Sequence, residues 1–377
     1  MATVDFSNPV QCVEYEAFVA AHANGCFMQS LKWARVKPDW GHEAVLVRNA
    51  AGVPVAAALI LIKKVPLLKT CLFYLPHGPV WDYGDAAAFN AVIAEVRKLA
   101  RSYHAYRCIL DPFITEGDTA VIDAVRAAGF SFKADAAELT TVQPRNNYML
   151  FLRGRSEEQV FAAFHGKWRY NIRVALRHSV ECRVCGKEAL DDFCRLMEET
   201  GQRDGFAVRS KAYFARMLDE LGAHCRLFMC YHGDEALSGA ITTQYAGKTC
   251  YVYGASSNEH RDKMPNYLMQ WTMIRWAIES GGEVYDFQGI PFYTDENHAN
   301  YGVYRFKKGF SGEVVTYAGE FTENYKPAIA AVLNALLYLR WLKADLHRRR
   351  LIRKSAPKNQ RVRREASNPS ALQEQCT

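Results

Sequence analysis

This chain of 377 residues is narrowed first by what it lacks. No apolar run approaches the roughly 20 residues that a membrane-spanning helix needs. The N-terminal stretch carries Asp5, Glu14 and Glu16 where an export signal is basic and then apolar, so a cytoplasmic protein is expected. No G-x-S-x-G elbow is present, and no cysteine stands in a matching histidine context, so the chain offers no candidate covalent nucleophile for acyl chemistry. The close pair Cys182-Arg-Val-Cys185 has no second pair to complete a structural zinc site. His260-Arg261-Asp262-Lys263-Met264-Pro265 contains no glycine, which argues against the glycine-rich pyrophosphate loop of an acyl-CoA enzyme. No metal or cofactor is called for.

What is present is the composition of a soluble globular protein, 49% hydrophobic and 23% charged. The length suggests two domains. The 11 cysteines sit mostly in apolar segments, such as Cys71, Cys225, Cys230 and Cys250, and read as reduced and buried. The formal charge of +7 is uneven: Arg340 to Thr377 holds 11 Lys/Arg against 3 Asp/Glu, leaving 36 against 37 for the rest. A near-neutral body with a cationic extension points to a polyanion nearby, either tRNA or an acidic membrane leaflet.

Along the chain, Leu31 to Lys37 reads as a short helix stopped by Pro38. Val53–Ile62 and Cys71–Leu75 read as a strand pair, followed by a turn at His77-Gly78-Pro79, a helix from about Ala86 to Tyr103, and a strand Tyr106–Leu110 ending at Asp111. The second half repeats the order. Ala236–Gln244 and Thr249–Tyr253 form the pair, Pro265–Glu279 the helix with Tyr267, Trp271, Ile274 and Ile278 at helical spacing, and Glu283–Tyr285 the closing strand before Asp286. Two β-β-α-β units, each closing on an aspartate, indicate a duplicated domain. Gln143–Tyr148 is the expected junction. A further helix is expected over Tyr325 to Trp341, and the basic, Ser- and Gln-containing sequence from His347 reads as disordered.

Tyr285 to Glu313, YDFQGIPFYTDENHANYGVYRFKKGFSGE, organises the rest. A strand end bearing an acid, then a loop, then aromatics around two lysines is how a binding cleft is assembled. A plain hairpin with a solvated lysine pair is the alternative. With its upstream partner, YVYGASSNEHRDKMPNYLMQWTMIRWAIESGGEVYDFQGIP, this segment resembles the Fem (FemABX) family of peptidoglycan aminoacyltransferases, and the likeness runs from about Phe27 to Gly319.

That resemblance implies an α+β (α/β) fold of two tandem acetyltransferase-like (GNAT) units: 1–146 joined by the C-terminal helix 325–343, then 147–320, with 344–377 as a disordered basic tail. It implies transfer of an amino acid, glycine, alanine or serine, from aminoacyl-tRNA to the stem-peptide amine of a peptidoglycan precursor, either lipid II or a nucleotide-linked form. Positioning the amine and stabilising an oxyanion are then the protein's main work. Phe306-Lys307 matches the family pair that contacts the tRNA acceptor end and assists the tetrahedral intermediate. Lys37, Arg209 and Tyr213 match the residues that grip the precursor's diphosphate, with Arg209 ahead of a candidate N-cap at Ser210. Tyr251 and Tyr253 continue that set. Asp111 matches an aspartate near the reacting amine, where it either orients substrate or holds the ammonium.

Lys167-Trp168-Arg169-Tyr170-Asn171-Ile172-Arg173 matches the family's Lys-x-Arg-x-Asn-Ile signature, and Arg169, Arg173 and Arg177 share a helix face that either steers tRNA phosphate or is merely solvated. Between Arg169 and Tyr251 no charged heptad pair is long enough for the helical arm of some members, which implies an arm-less monomer adding the first bridge residue. The tail implies peripheral contact with an anionic membrane or with tRNA. The rival functions are an acyl-CoA-dependent N-acyltransferase and a non-catalytic RNA-binding protein.

Overall fold

The computed structural model describes residues 2–132, 142–290, 295–297, 301–339 and 342. Met1–Glu323 forms one compact unit and Asn324–Thr377 another, in which residues 327–339 are helical. The expected basic tail, and residues 291–294 and 298–300 of the Tyr285–Glu313 stretch, lie outside the described residues.

In the first half the elements are α1 (Pro9–Ala21), α2 (Leu31–Val36), β1 (Gly41–Arg48), β2 (Pro54–Lys64), β3 (Cys71–Leu75), β4 (Val80–Trp81), α3 (Ala86–Ser102), β5 (Ala105–Leu110), α4 (Thr119–Ala127) and β6 (Ser131–Phe132). The second half has β7 (Asn146–Phe151), α5 (Glu157–Ala163), α6 (Gly166–Arg177), β8 (Val180–Cys185), α7 (Leu190–Asp204), α8 (Lys211–Leu221), β9 (Cys225–His232), β10 (Glu235–Tyr245), β11 (Lys248–Ser256), α9 (Pro265–Glu279), β12 (Val284–Gly289), α10 (Tyr301–Lys308), β13 (Glu313–Thr316) and β14 (Phe321–Asn324).

Two seven-stranded sheets result: one ordered β1-β2-β3-β5-β14-β6 with β4 paired to β2, the other β13-β7-β12-β11-β10-β9-β8. The repeat is fuller than the sequence reading. Each half has three antiparallel strands, a helix and a strand parallel to the third: β1-β2-β3-α3-β5 and β9-β10-β11-α9-β12. The first strand of each set was not foreseen. β12 also runs on to Gly289, so Asp286 lies inside a strand while Asp111 follows one.

Local chemistry sets these elements. Asp85 caps α3 by accepting from the Ala88 amide, and Phe89, Val92, Ile93 and Val96 recur at helical spacing on its buried face. α9 starts with Pro265 and is buried on more sides than its amphipathic reading implied, since Leu268, Met269, Met273, Trp276 and Ala277 are buried as well. It lies between the second sheet and α6. Within the unit, one core joins the halves: Leu31, Trp33, Val36 and Leu59 pack in the same cluster as Phe193, Phe214, Met217 and Ile241. α2 packs on α8, which brings the end of one helix beside the start of the other.

Candidate functional site

α2 stops at Val36 because Pro38 cannot continue it, and Lys37 is its C-cap. α8 starts at Lys211, with the Ser210 hydroxyl accepting from the Tyr213 amide at 3.3 Å, so the foreseen cap is present. Between these ends opens a cavity of about 550 Å³ whose lining includes Trp33, Lys37, Trp40, Tyr74, Gln143, Arg209, Tyr213, Arg216, Tyr253 and Gln288. The Lys37 ammonium donates to the Tyr213 hydroxyl at 3.0 Å and lies 4.7 Å and 4.8 Å from the Trp33 and Tyr213 ring centres. The Arg209 guanidinium lies 5.4 Å from the Tyr213 ring, and the Tyr253 hydroxyl donates to that of Tyr213 at 3.3 Å. Burial, and then the Arg209 charge, lower the Lys37 pKa to about 8. Four of the five expected precursor-binding residues therefore meet.

Tyr251 does not join them. A bulge between Ile241 and Thr242 pairs Tyr253 with Ile241 but Tyr251 with Thr242, and the bulge breaks the alternation that would put residues two apart on one face. Tyr251 packs into the other core, with Trp271 and Tyr285, and burial pushes its hydroxyl up to about 12.

Asp111 does not line the cavity. Its Oδ2 accepts from the Tyr74 hydroxyl at 2.6 Å and its Oδ1 from the His77 amide at 2.5 Å. Burial raises it to about 7 against those two bonds. Tyr74, which also accepts from Gln143 Nε2 at 3.2 Å, faces the cavity together with Gln143.

β11 and β12 pair only from Lys248–Val284 to Cys250–Asp286. Beyond that register the strands part, and β12 carbonyls lose their ladder partners. Lys307, buried at 7% exposure, fills the gap. Its ammonium donates to the Phe287 and Gly289 carbonyls at 2.7 Å each and to that of Gln288 at 3.2 Å. An ammonium has three N–H groups, so none is spare, and Lys307 is an internal brace rather than the solvated lysine of the alternative reading. Burial lowers Lys307 to about 8, with Asp286 opposing. Asp286, raised to about 6 by burial, accepts from the Gln288 amide at 2.6 Å and from Asn147 Nδ2 at 3.0 Å. Gln288 holds a left-handed φ of +62°, an uncommon state for a non-glycine residue.

Phe306 lines a second cleft with Lys167, Trp168, Arg261, Tyr267 and Arg305, of about 580 Å³. It continues past Ser256, Met264 and Asn266 toward the start of α9. Trp168, Tyr267 and Phe306 form an aromatic row with ring centres 5.5 Å and 5.2 Å apart. Trp168 Nε1 donates to the Phe306 carbonyl at 2.9 Å. Lys167 thus joins Phe306 as expected. Arg169 donates instead to the Ala162 carbonyl and Arg173 lies over the Phe161 ring, both outside this cleft.

Sequence reasoning missed Arg216, although it follows Tyr213 by three residues within α8 and so lies on the same side of that helix. It also missed Trp168, Arg261 and Tyr267 as cleft residues. Among the described residues no group of three or more His, Cys, Asp or Glu is placed to hold a metal ion, and no helix is long and apolar enough to cross a membrane.

The model of the FemAB family matches residues 10–233 and 229–337. The chain is 29% identical to a lipid II:glycine glycyltransferase of Staphylococcus haemolyticus, over 82% of this chain and 90% of that protein. Among solved structures, FemX superposes with a TM-score of 0.80 at 26% identity, over 88% of this chain and 99% of FemX. A tandem GNAT protein from the clavulanic acid pathway superposes at 0.52 with 12% identity, over 85% of this chain and 98% of its own. The fold is therefore the tandem acetyltransferase-like one.

Proposed function

The chain belongs to the FemAB family, and on that premise we propose that it transfers an amino acid, glycine, alanine or serine, from aminoacyl-tRNA to the stem-peptide amine of a peptidoglycan precursor. The relatives named as lipid II:glycine glycyltransferases favour lipid II as acceptor and glycine as donor group. The observation that carries the reading is a pair of cation-and-aromatic clefts, each with one lining residue tied to Lys307. Its chain neighbour Phe306 lines one, and Gln288, whose carbonyl it holds, lines the other.

The cavity with Lys37, Arg209 and Tyr213 holds the precursor's diphosphate by charge-assisted hydrogen bonds. The cleft with Trp168, Tyr267 and Phe306 receives the acceptor end of tRNA. Aromatic rings stack on unpaired bases without regard to sequence, and Lys167, Arg261 and Arg305 meet phosphate. α9 begins at this cleft without a side-chain cap, so the positive end of its dipole favours an incoming phosphate.

The ester of the donor is already activated. The stem amine attacks its carbonyl carbon, a tetrahedral oxyanion forms and collapses, and the tRNA ribose hydroxyl leaves with a proton. Lys307 holds its ammonium beside this point while bracing β12, and Tyr74, backed by Asp111, orients the amine from the precursor side. A donor comparison tests the reading. Precursor is incubated with labelled aminoacyl-tRNA or labelled acyl-CoA, and label is expected in the precursor only from charged tRNA. Incorporation from acyl-CoA alone overturns the proposal.

A further inference from the structure

β2 and β3 form a hairpin whose last paired residues are Lys64 and Cys71. The final partner of β2 on β1 is Gly41, opposite Ile62, so past that point no strand flanks β2 on that side. The connection is Val65-Pro66-Leu67-Leu68-Lys69-Thr70. The Leu68 amide donates to the Val65 carbonyl at 3.2 Å and the Val65 amide to that of Thr70 at 3.0 Å, and Leu67 holds a φ of +66°. This is a closed turn with proline second and a left-handed third residue, where glycine or asparagine is favoured and a bulky side chain is an outlier. Packing does not explain leucine there, since Leu67 is fully exposed and Leu68 half-exposed.

Single apolar residues scattered over a surface need no explanation. Two adjacent leucines at the end of a hairpin, bracketed by Lys63, Lys64 and Lys69, do. All three lysines are exposed, and among the described residues the lysine ion pairs belong to Lys98, Lys187 and Lys211 instead. An apolar tip ringed by unpaired cations complements an anionic bilayer, whose headgroups meet the lysines while the acyl boundary takes the leucines. The hairpin also reaches the precursor cavity. Lys63 lies 5.3 Å from the Trp40 ring centre and donates to the Asp39 carbonyl at 3.4 Å, and Asp39, Trp40, Leu61 and Leu72 line that cavity. Leu61 is three residues behind Lys64 on β2, roughly 10 Å.

We propose that the tip of the β2–β3 hairpin inserts Leu67 and Leu68 into an anionic membrane leaflet, with Lys63, Lys64 and Lys69 at the headgroups, and holds the cavity rim at the surface that carries a lipid-linked acceptor. This rests on the reading of the cavity as the acceptor's site. One such wedge gives weak, reversible attachment, and stable anchoring takes two signals, the second being the basic stretch from Arg340.

The test is cosedimentation of the full-length protein with vesicles of phosphatidylcholine, alone or mixed with phosphatidylglycerol, for wild type, Leu67→Asn/Leu68→Ser and Lys64→Gln/Lys69→Gln. Wild type is expected to bind the mixed vesicles. The leucine variant is expected to bind them roughly tenfold or more weakly, from the withdrawal of two apolar side chains. Its melting temperature is expected to equal or exceed that of wild type, because asparagine suits a left-handed residue. The lysine variant is expected to bind the mixed vesicles several-fold more weakly and to melt unchanged. Undiminished vesicle binding by the leucine variant overturns the proposal. Weaker binding with a lowered melting temperature overturns it too, by marking leucines that hold the hairpin together. Self-association of wild type that the leucine variant abolishes, with vesicle binding intact, assigns the tip to a second copy of the chain and also overturns it.

Transfer supplies a second readout. The leucine variant is expected to show a raised KM for a lipid-linked precursor in vesicles and an unchanged KM for a nucleotide-linked one; an equal rise for both overturns the membrane role. A protein that transfers to neither precursor overturns the proposed function, whereas vesicle binding, read without transfer, still decides the hairpin.

Discussion

Lys307 has all three of its N–H groups engaged by the carbonyls of Phe287, Gln288 and Gly289. It therefore shapes the junction as well as charging it. Lys307→Ala is expected to lower kcat at least about tenfold, because the end of β12 loses its brace and the junction loses its charge, with precursor affinity measured by titration unchanged. Lys307→Arg is not expected to restore the rate, because a planar fork cannot reproduce three donors converging on one strand end. A lysine in a polar, aromatic stretch reads as solvated. Its burial follows from the parting of β11 and β12, which residue types do not reveal.

Asp111 offers a pH-dependent signature. Its carboxyl is raised from 3.8 to about 7 by burial, so between those values the folded protein holds a proton that the unfolded chain releases. A raised folded value contributes stability that is present at low pH and lost as pH climbs through about 7. Stability should thus fall from about pH 4 to pH 7, with Asp111 contributing at most about 1.4 kcal/mol per pH unit. Asp286, raised to about 6, adds in the same direction. Asp111→Asn should flatten the slope in denaturant melts across that range, since Asn is neutral throughout and Tyr74 can accept from its amide. An unchanged slope would mean that Asp111 titrates near its ordinary value.

At the scale of elements, the donor cleft depends on α10 seating against α6. A Cβ on Gly309 would lie 2.1 Å from Trp168 Cε2, so Gly309→Ala must push the indole out of the aromatic row and off the Phe306 carbonyl. Overpacking of this kind typically costs about 1–3 kcal/mol of stability. The expected kinetic mark is a raised KM for charged tRNA with an unchanged KM for precursor. A rise in precursor KM instead would break the assignment of the two clefts.

Element order was legible because punctuation was strong: Pro38 ends α2, Pro265 opens α9, and Ser210 caps α8. β1 and β9 were less so: each follows a turn or helix end, with no proline or capping residue to mark where it starts, and neither was assigned. Tyr251 shows the limit of periodicity, because one bulge in β10–β11 undoes the alternation that linked it to Tyr253. Arg216 was within reach, as it follows Tyr213 by three residues in the same helix. The aromatic row was not, because Trp168, Tyr267 and Phe306 come from α6, α9 and α10, which only the tertiary fold brings together.

For the whole molecule, charge is divided between a near-neutral body and the stretch from Arg340, which holds 11 Lys/Arg against 3 Asp/Glu. Each basic residue close to an anionic leaflet contributes roughly 1 kcal/mol, so several suffice for reversible attachment. Truncation after Ala344 is expected to abolish binding to anionic vesicles while leaving transfer to a soluble, nucleotide-linked acceptor intact. Vesicle binding that survives truncation contradicts a membrane role. A collapse of soluble transfer through raised tRNA KM assigns the tail to tRNA instead.

The most direct measurement is mass spectrometry of the purified precursor after incubation with the protein and glycyl-, alanyl- or seryl-tRNA in turn. The account predicts a mass gain of one amino-acid residue from at least one donor, located on the side-chain amine of the stem peptide. A precursor whose mass is unchanged with every charged tRNA, under conditions where a lipid II:glycine glycyltransferase of Staphylococcus haemolyticus modifies it, would contradict the account.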